Sequence, residues 1–385
     1  MKQKNSSLKE VFIRGKIKFL ALAGLCLIII GGIIGMIPLA LSNFSFYELY
    51  SDPDNPPDMI SETVKELPDG ISIVVYDIEV SISPSSNGEI SMNYDSRSVS
   101  YELKNGSLVF KSERQPGILN TDHKWYQIQV DLPPRHQGLE LFLPKDYSGS
   151  IDVKNDYGTT KIEGIENLGS LRTESSNGTV LLDNMTIEDS VSFSSDYGDV
   201  YVENSELKNS MTADSYNGAL IVKDCSVGGS LSLSAEYGGI NLKNVSCGDV
   251  VSAVNESSDI SLKNVSAKGG FDIESQYGDC LFDELSGKSL KADLYNGSAD
   301  IVKTKTEDTI HVVSEYGVIT LDKAYAPHMT LFSSRDVNGT VAAFESDFDF
   351  VLQVTDIKDT AINENSSYLI YGSEYGNCRL KLEGN

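Results

Sequence analysis

The chain has 385 residues and a net charge of -25, from 56 acidic against 31 basic side chains. That surplus argues against nucleic acid as a partner, because phosphate recognition needs a basic face. A hydrophobic content of 40% excludes a disordered acidic tail, and 32 glycines against 11 prolines suit strands and turns better than helices.

The charge is unevenly placed. Residues 1–18 form a basic tail, with Lys2, Lys4, Lys9, Arg14, Lys16 and Lys18 against Glu10 alone, a net +5 that leaves −30 for the rest. Residues 19–41 come next as 23 positions without a charge. As a helix rising ~1.5 Å per residue, this run reaches about 34 Å, enough to cross a hydrocarbon layer of about 30 Å. It is longer than the apolar core of a cleaved signal peptide, and Leu25 before Cys26 does not fit a lipoprotein signal. The expectation is a retained single-pass transmembrane helix over 19–41. Its basic flank stays in the cytoplasm, and the rest of the chain lies outside the cell membrane. Gly31 and Gly35 have the spacing of a helix-packing motif, although glycine is common in membrane helices anyway. Residues 42–68 read as a linker that opens with Phe44, Phe46, Tyr47 and Tyr50 at the membrane interface and stiffens in the Pro/Asp-rich stretch 51–57.

Residues 69–146 read as short strands. Segments 71–76 and 77–82 alternate with period two. Asn87-Gly88 and Asn105-Gly106 signal turns, the second joining 99–103 to 107–110 as a hairpin. Segments 125–130 and 139–143 continue the pattern. The region is expected to be an antiparallel β lead-in that caps one end of the repeats beginning at 147.

From 147 to the end an internal repeat dominates. Tyr157-Gly158, Asn177-Gly178, Tyr197-Gly198, Asn217-Gly218 and Tyr237-Gly238 fall 20 residues apart. After a degenerate Ser257-Ser258 come Tyr277-Gly278, Asn296-Gly297 and Tyr316-Gly317, then Asn338-Gly339 and Tyr375-Gly376 at broken spacing. With Ile151 as position one, that column continues Leu171, Val191, Met211, Leu231, Val251, Phe271, Leu290 and Ile310. Positions ten and twelve are apolar too, and polar residues lie between. Each unit therefore holds two short strands, with the position-eight glycine placed where a positive φ is expected. One unit cannot bury its apolar face alone, but stacked units can. The predicted fold is all-β: a parallel β-solenoid of about ten coils and about 20 residues per coil, right-handed by the crossover rule. A β-propeller blade of about 40 residues carries other motifs, and a β-sandwich, the second choice, does not need such strict spacing.

The basic start, the single span, the Pro/Asp linker, the β lead-in and the Gly-turn repeats, with Leu-Pro-Lys-Asp-Tyr at 143–147 leading into the first coil, resemble the bacterial "putative adhesin" domain family over roughly residues 70–385. The resemblance implies a membrane-anchored envelope protein of β-solenoid fold. Its biochemical activity is unassigned, and some members are linked to envelope-stress operons.

Parity places position seven, the Tyr/Asn column, with positions one and three at an inner corner, where its side chains are structural; a sugar-stacking platform would need exposed rings. Position eleven faces out, so Leu181, Tyr201 and Ile221 on successive coils should form an apolar stripe able to bind a partner. Asp156, Asp196, Glu236, Glu315 and Glu374 precede tyrosines, and Asp199, Asp259 and Asp279 come after turns. They read as a solvated acidic face, since the calcium β-roll nonapeptide is absent. His123, His136, His311 and His328 have no metal-ligand spacing, and no nucleophile elbow occurs. No cofactor is expected. Cys225 and Cys247 fall on adjacent coils, two columns apart, which leaves a disulfide open.

The leading functional reading is a non-enzymatic, membrane-tethered surface module that binds envelope glycan or a surface protein, or serves an envelope-stress role. The alternatives are a self-assembling scaffold, with the tail 340–372 as an irregular cap against it, and a polysaccharide-active β-helix enzyme.

Overall fold

The computed structural model describes residues 59–112, 138–355 and 366–383. The basic tail, the expected transmembrane helix at 19–41, residues 42–58 of the linker and the strand expected at 125–130 lie outside the described residues. Among the described residues no helix is long and apolar enough to cross a membrane, and the helix present is one 3-10 turn, Glu345–Asp347.

The repeat folds as its columns require. In Leu171–Ser175, Leu171, Thr173 and Ser175 are buried while Arg172 and Glu174 face out. This strand pairs in parallel with Ser150–Asn155 on one side and Val191–Ser195 on the other, each residue against its counterpart twenty positions away. Parallel stacking continues to Tyr368–Ser373, with offsets of 19 or 20 residues up to His328–Ser333 and 40 at the last step, giving about eleven stacked strands on this first face. The second face runs from Thr160–Glu163 through Val180–Asp183 and Val200–Glu203 to Cys378–Leu382. A third, shorter face lies beyond a bend within each coil: Leu220–Val227 passes the bend and pairs on both sides of it. Val153, Ile162, Phe193, Val202 and Leu242 are at most 1% exposed, so one apolar core runs between the faces, at a repeat of about 4.8 Å per coil.

The start of the solenoid differs from the sequence expectation. Gly70–Val75 is parallel to Ser150–Asn155, and Val80–Pro84 is parallel to Thr160–Glu163. These strands form a coil, so the solenoid begins near residue 70 and not at 147. Ser107–Ser112 and Leu139–Leu143 stack in parallel on the far side of that coil, so chain order and coil order differ here. Among the described residues, antiparallel pairing is confined to three pairs: Met59–Val64 with Ile90–Asp95, Ile90–Asp95 with Leu139–Leu143, and the hairpin Val99–Lys104 with Ser107–Ser112. The physical reason is that period-two alternation buries the same residues whichever way a strand runs. Only the neighbour decides its direction.

Within the tail expected to be irregular, the described residues include the strands Phe350–Val354 and Tyr368–Ser373. Tyr368–Ser373 lies between His328–Ser333 and Phe350–Val354, and Cys378–Leu382 pairs with Val337–Val341. It is a further coil with its own cover.

The cysteines are free among the described residues, which corrects the possible disulfide. Cys225 pairs with Val245 and Cys247 with Val227, so the two-column offset keeps the thiols apart. Burial pushes the Cys225 thiol up to about 11 and that of Cys280 up to about 12. Cys225, Cys247 and Cys280 should therefore resist a maleimide in the native protein and react once denatured. Rapid labelling of all three in the folded chain would contradict this burial.

Candidate functional site

The surface is best understood one column at a time. At the tight bend between the first and second faces, the position-eight glycines do not have the expected positive φ. Among the described residues, positive-φ glycines stand elsewhere, at Gly88, Gly106, Gly164, Gly270 and Gly339. What position eight requires is close approach. A Cβ built on Gly178, Gly198, Gly218 or Gly238 overlaps the backbone carbonyl of the glycine one coil earlier, and one on Gly158 overlaps that of Ile78. The same holds at Gly278 against Ser258, and at Gly297 and Gly317 against the preceding glycines.

Beneath most of the bends lies a buried polar residue at position five, with Ala235 and Leu294 as the exceptions. The hydroxyls of Ser175, Ser195 and Ser215 donate to the carbonyls of Gly178, Gly198 and Gly218 at 2.6, 2.6 and 2.7 Å. Asn155 makes the equivalent bonds through its amide, and Asn255 serves the coil in which Ser258 replaces glycine. This column went unnoticed in the sequence, although its signal, a Ser or Asn three before most of the bend glycines, is there.

The positive φ sits at position fourteen, where the second face turns into the third. Asn184, Asn204, Asp224, Asn244, Asn264, Glu284, Lys303 and Lys323 all have φ between 45° and 58°. Asn and Asp tolerate this region best, and here they also bond along the axis: Asn244 donates to Asp224 at 2.7 Å and Asn264 to Asn244 at 2.9 Å. Side-chain hydrogen bonds along the axis thus run at position fourteen.

Position seven itself points outward, which corrects the inner-corner assignment. Tyr197 is 58% exposed and Tyr277 58%. Tyr157, Tyr237 and Tyr316 are exposed too, as are Asn177, Asn217 and Asn296. Parity fails because the chain bends between positions five and eight, so counting by twos no longer tracks the face. Tyr216 and Tyr295, at position six, join the row. Tyr216 meets Tyr197 and Tyr237 edge-on at 6.1 and 5.2 Å, and Tyr295 meets Tyr316 at 5.3 Å.

The acids after the turn have a structural task. Asp199 accepts the backbone N–H of Ala219 at 2.8 Å, Asp259 that of Asp279 at 2.9 Å, and Asp279 that of Ser298 at 2.8 Å. Each carboxylate ties its coil to the next. Among the described residues no three His, Cys, Asp or Glu side chains are grouped to hold a metal ion.

The position-eleven stripe has the expected alignment. Leu181 pairs with Tyr201 and Tyr201 with Ile221 on the outer surface of the second face, and all three are half-buried. Tyr201 donates to Asp199 at 3.2 Å, which holds its ring along the stripe. Lys161 and Asn241 bound the stripe at its two ends.

No curated protein matches the chain. Among solved structures, a putative adhesin from Bacteroides fragilis is similar at 11% identity, covering 84% of this chain and 97% of its own, with a TM-score of 0.22. The family model described as Toastrack DUF4097 matches residues 69–244 and again 228–353. Those two matches take in the coil at 70–84 and most of the stacked coils after it, so the chain belongs to the Toastrack DUF4097 family.

Proposed function

We propose that this protein is a non-enzymatic surface module. It is tethered to the cell membrane by residues 19–41 and presents its solenoid outside the cell to bind an envelope glycan or a surface protein. The observation that carries the reading is the outward stripe Leu181–Tyr201–Ile221. Three apolar side chains in register on successive coils, bounded by Lys161 and Asn241, lose contact with water when a partner covers them. The uncharged run at 19–41 with its basic flank supports the tether and its orientation.

Two measurements test this. An antibody to a C-terminal tag should stain intact cells; staining only after permeabilisation would overturn the orientation. Changing Leu181, Tyr201 and Ile221 together to Ser should weaken retention of the full chain on purified cell wall or membrane extract by about tenfold, the size expected when a central apolar anchor is lost. Retention and sedimentation both unchanged would remove the stripe as a binding surface.

A self-assembling scaffold is the second reading. It is favoured by the strand edges at the C-terminal end, where Phe350–Val354 and Cys378–Leu382 each pair on one side only among the described residues. No observation among the described residues favours a polysaccharide-active enzyme.

A further inference from the structure

The outer surface of the first face carries a channel beside the tight bend. Its walls are positions four and six of successive coils, and its floor is position five. Two adjoining cavities of about 340 and 480 Å³ run along it, sharing Val254 and Glu256. From Met211–Ser215 to Lys305–Ser314 each coil contributes one carboxylate: Asp214, Glu236, Glu256, Glu274, Asp293 and Glu315.

Three features set this row apart from the general acidity of the chain. The first is the lack of counter-charge. Two coils before Asp214, Glu174 is held by Lys154 at 3.3 Å and by Arg172, and on other faces Glu203 and Glu284 have lysine partners. Of the six channel carboxylates, Asp293 alone forms an ion pair among the described residues, with Lys291 at 2.8 Å. Glu274 and Asp293 even stand directly opposite each other in the ladder, an arrangement of like charges that is unfavourable without a cation. The second is apolar surface inside the channel: Val254 is 38% exposed, with half-buried Val313 further along. The third is the aromatic wall. Tyr216 and Tyr295 occupy position six and are 42% and 43% exposed.

We propose that this channel is a docking site for an extended cationic polypeptide. Its lysine or arginine head groups would meet the carboxylate row, and their aliphatic stems would lie on Val254, Val313 and the tyrosine rings. The dimensions agree. Five coil steps at about 4.8 Å span roughly 24 Å, the length of about seven extended residues at about 3.3 Å each. The inference deepens the reading of the chain as a binding module, but it involves a different surface from the apolar stripe and does not depend on the membrane tether.

The test is fluorescence anisotropy of a labelled oligolysine of about eight residues, a length set by the channel span, titrated with the full chain. Oligoglutamate serves as the control peptide. Glu236→Gln, Glu256→Gln and Glu274→Gln together should weaken oligolysine binding about tenfold or more, because clustered charges facing one ligand act jointly. Glu188→Gln, Asp189→Asn and Glu307→Gln, exposed acids outside the channel, alter the net charge equally and should change binding less than about twofold, as expected of weakly coupled surface charges. Circular dichroism of both variants should retain the parent β spectrum, since none of these side chains enters the core. Equal losses from the two sets would show attraction to net charge alone and overturn the proposal. So would failure of the parent chain to bind, or channel substitutions that leave oligolysine binding intact and instead alter sedimentation of the chain alone, which would point to a second copy in the channel. Cell-surface staining is read separately, so failure of the tether leaves this result standing, and the reverse.

Discussion

Gly218→Ala should destabilise the solenoid by about 3 kcal/mol, the upper range for forcing a methyl group into a packed site. The added Cβ meets the Gly198 carbonyl and the carbon behind it, with the Asp199 nitrogen close by. All three are backbone atoms fixed by the parallel ladder, so no flexible side chain can move aside. Relief would require the two coils to separate at the bend, breaking the Ser215 bond to the Gly218 carbonyl. Gly88→Ala provides the comparison: its φ of +75° is strained for alanine, but nothing lies within 4 Å, so a loss of only about 1 kcal/mol is expected. Urea unfolding monitored by circular dichroism should separate the two. Coils contact only their neighbours, so a weakened interface at Gly218 should also split the transition into two steps. An unchanged midpoint for Gly218→Ala would show that the bends are looser than the close approach implies.

Removing residues 340–385 should convert the protein into concentration-dependent oligomers. The truncation takes away Tyr368–Ser373 and Cys378–Leu382, which pair with His328–Ser333 and Val337–Val341. His328–Ser333 and the remaining 337–339 would then present unpaired N–H and C=O groups, and Met329, Leu331 and Val337, now fully buried, would border an open end of the core. The intact end is better protected. Cys378–Leu382 turns Arg379 and Lys381 to solvent, and charges of this kind discourage edge pairing. Phe350 stacks on Tyr368 at 5.6 Å, and Phe348 is nearly buried below. Sedimentation velocity over a range of concentrations is the measurement. A truncated chain that stays monomeric would mean that the last coil is not what holds the end closed.

Much of the architecture was legible because a parallel solenoid stacks each residue on its own counterpart. Leu171, Val191 and Met211 share a column only if the coils hold the same register, so the period of 20 visible in the chain already implied the ladder that places them together. The outward stripe of Leu181, Tyr201 and Ile221 was legible for the same reason. The channel was not. Its carboxylates are divided between positions four and six, and only the fold shows that these two positions wall one groove and that, among the described residues, Asp293 alone of the six has an ion-pair partner.

The amino-acid sequence by itself determined the repeat, its in-register stacking and the split between a basic start and an acidic remainder, because periodicity and charge are properties of the chain. The tertiary structure decided what happens at the bends and at the ends. Alternation by twos loses its meaning where the backbone turns, so the tyrosines came out exposed, the position-eight glycines proved to be points of close approach, and the positive φ moved to Asn184 and its successors. At the N-terminal end, strand direction depends on a neighbour distant in the chain. That is why residues 70–84, which alternate like any antiparallel strand, became a coil of the solenoid, with Ser107–Ser112 and Leu139–Leu143 stacked on its far side.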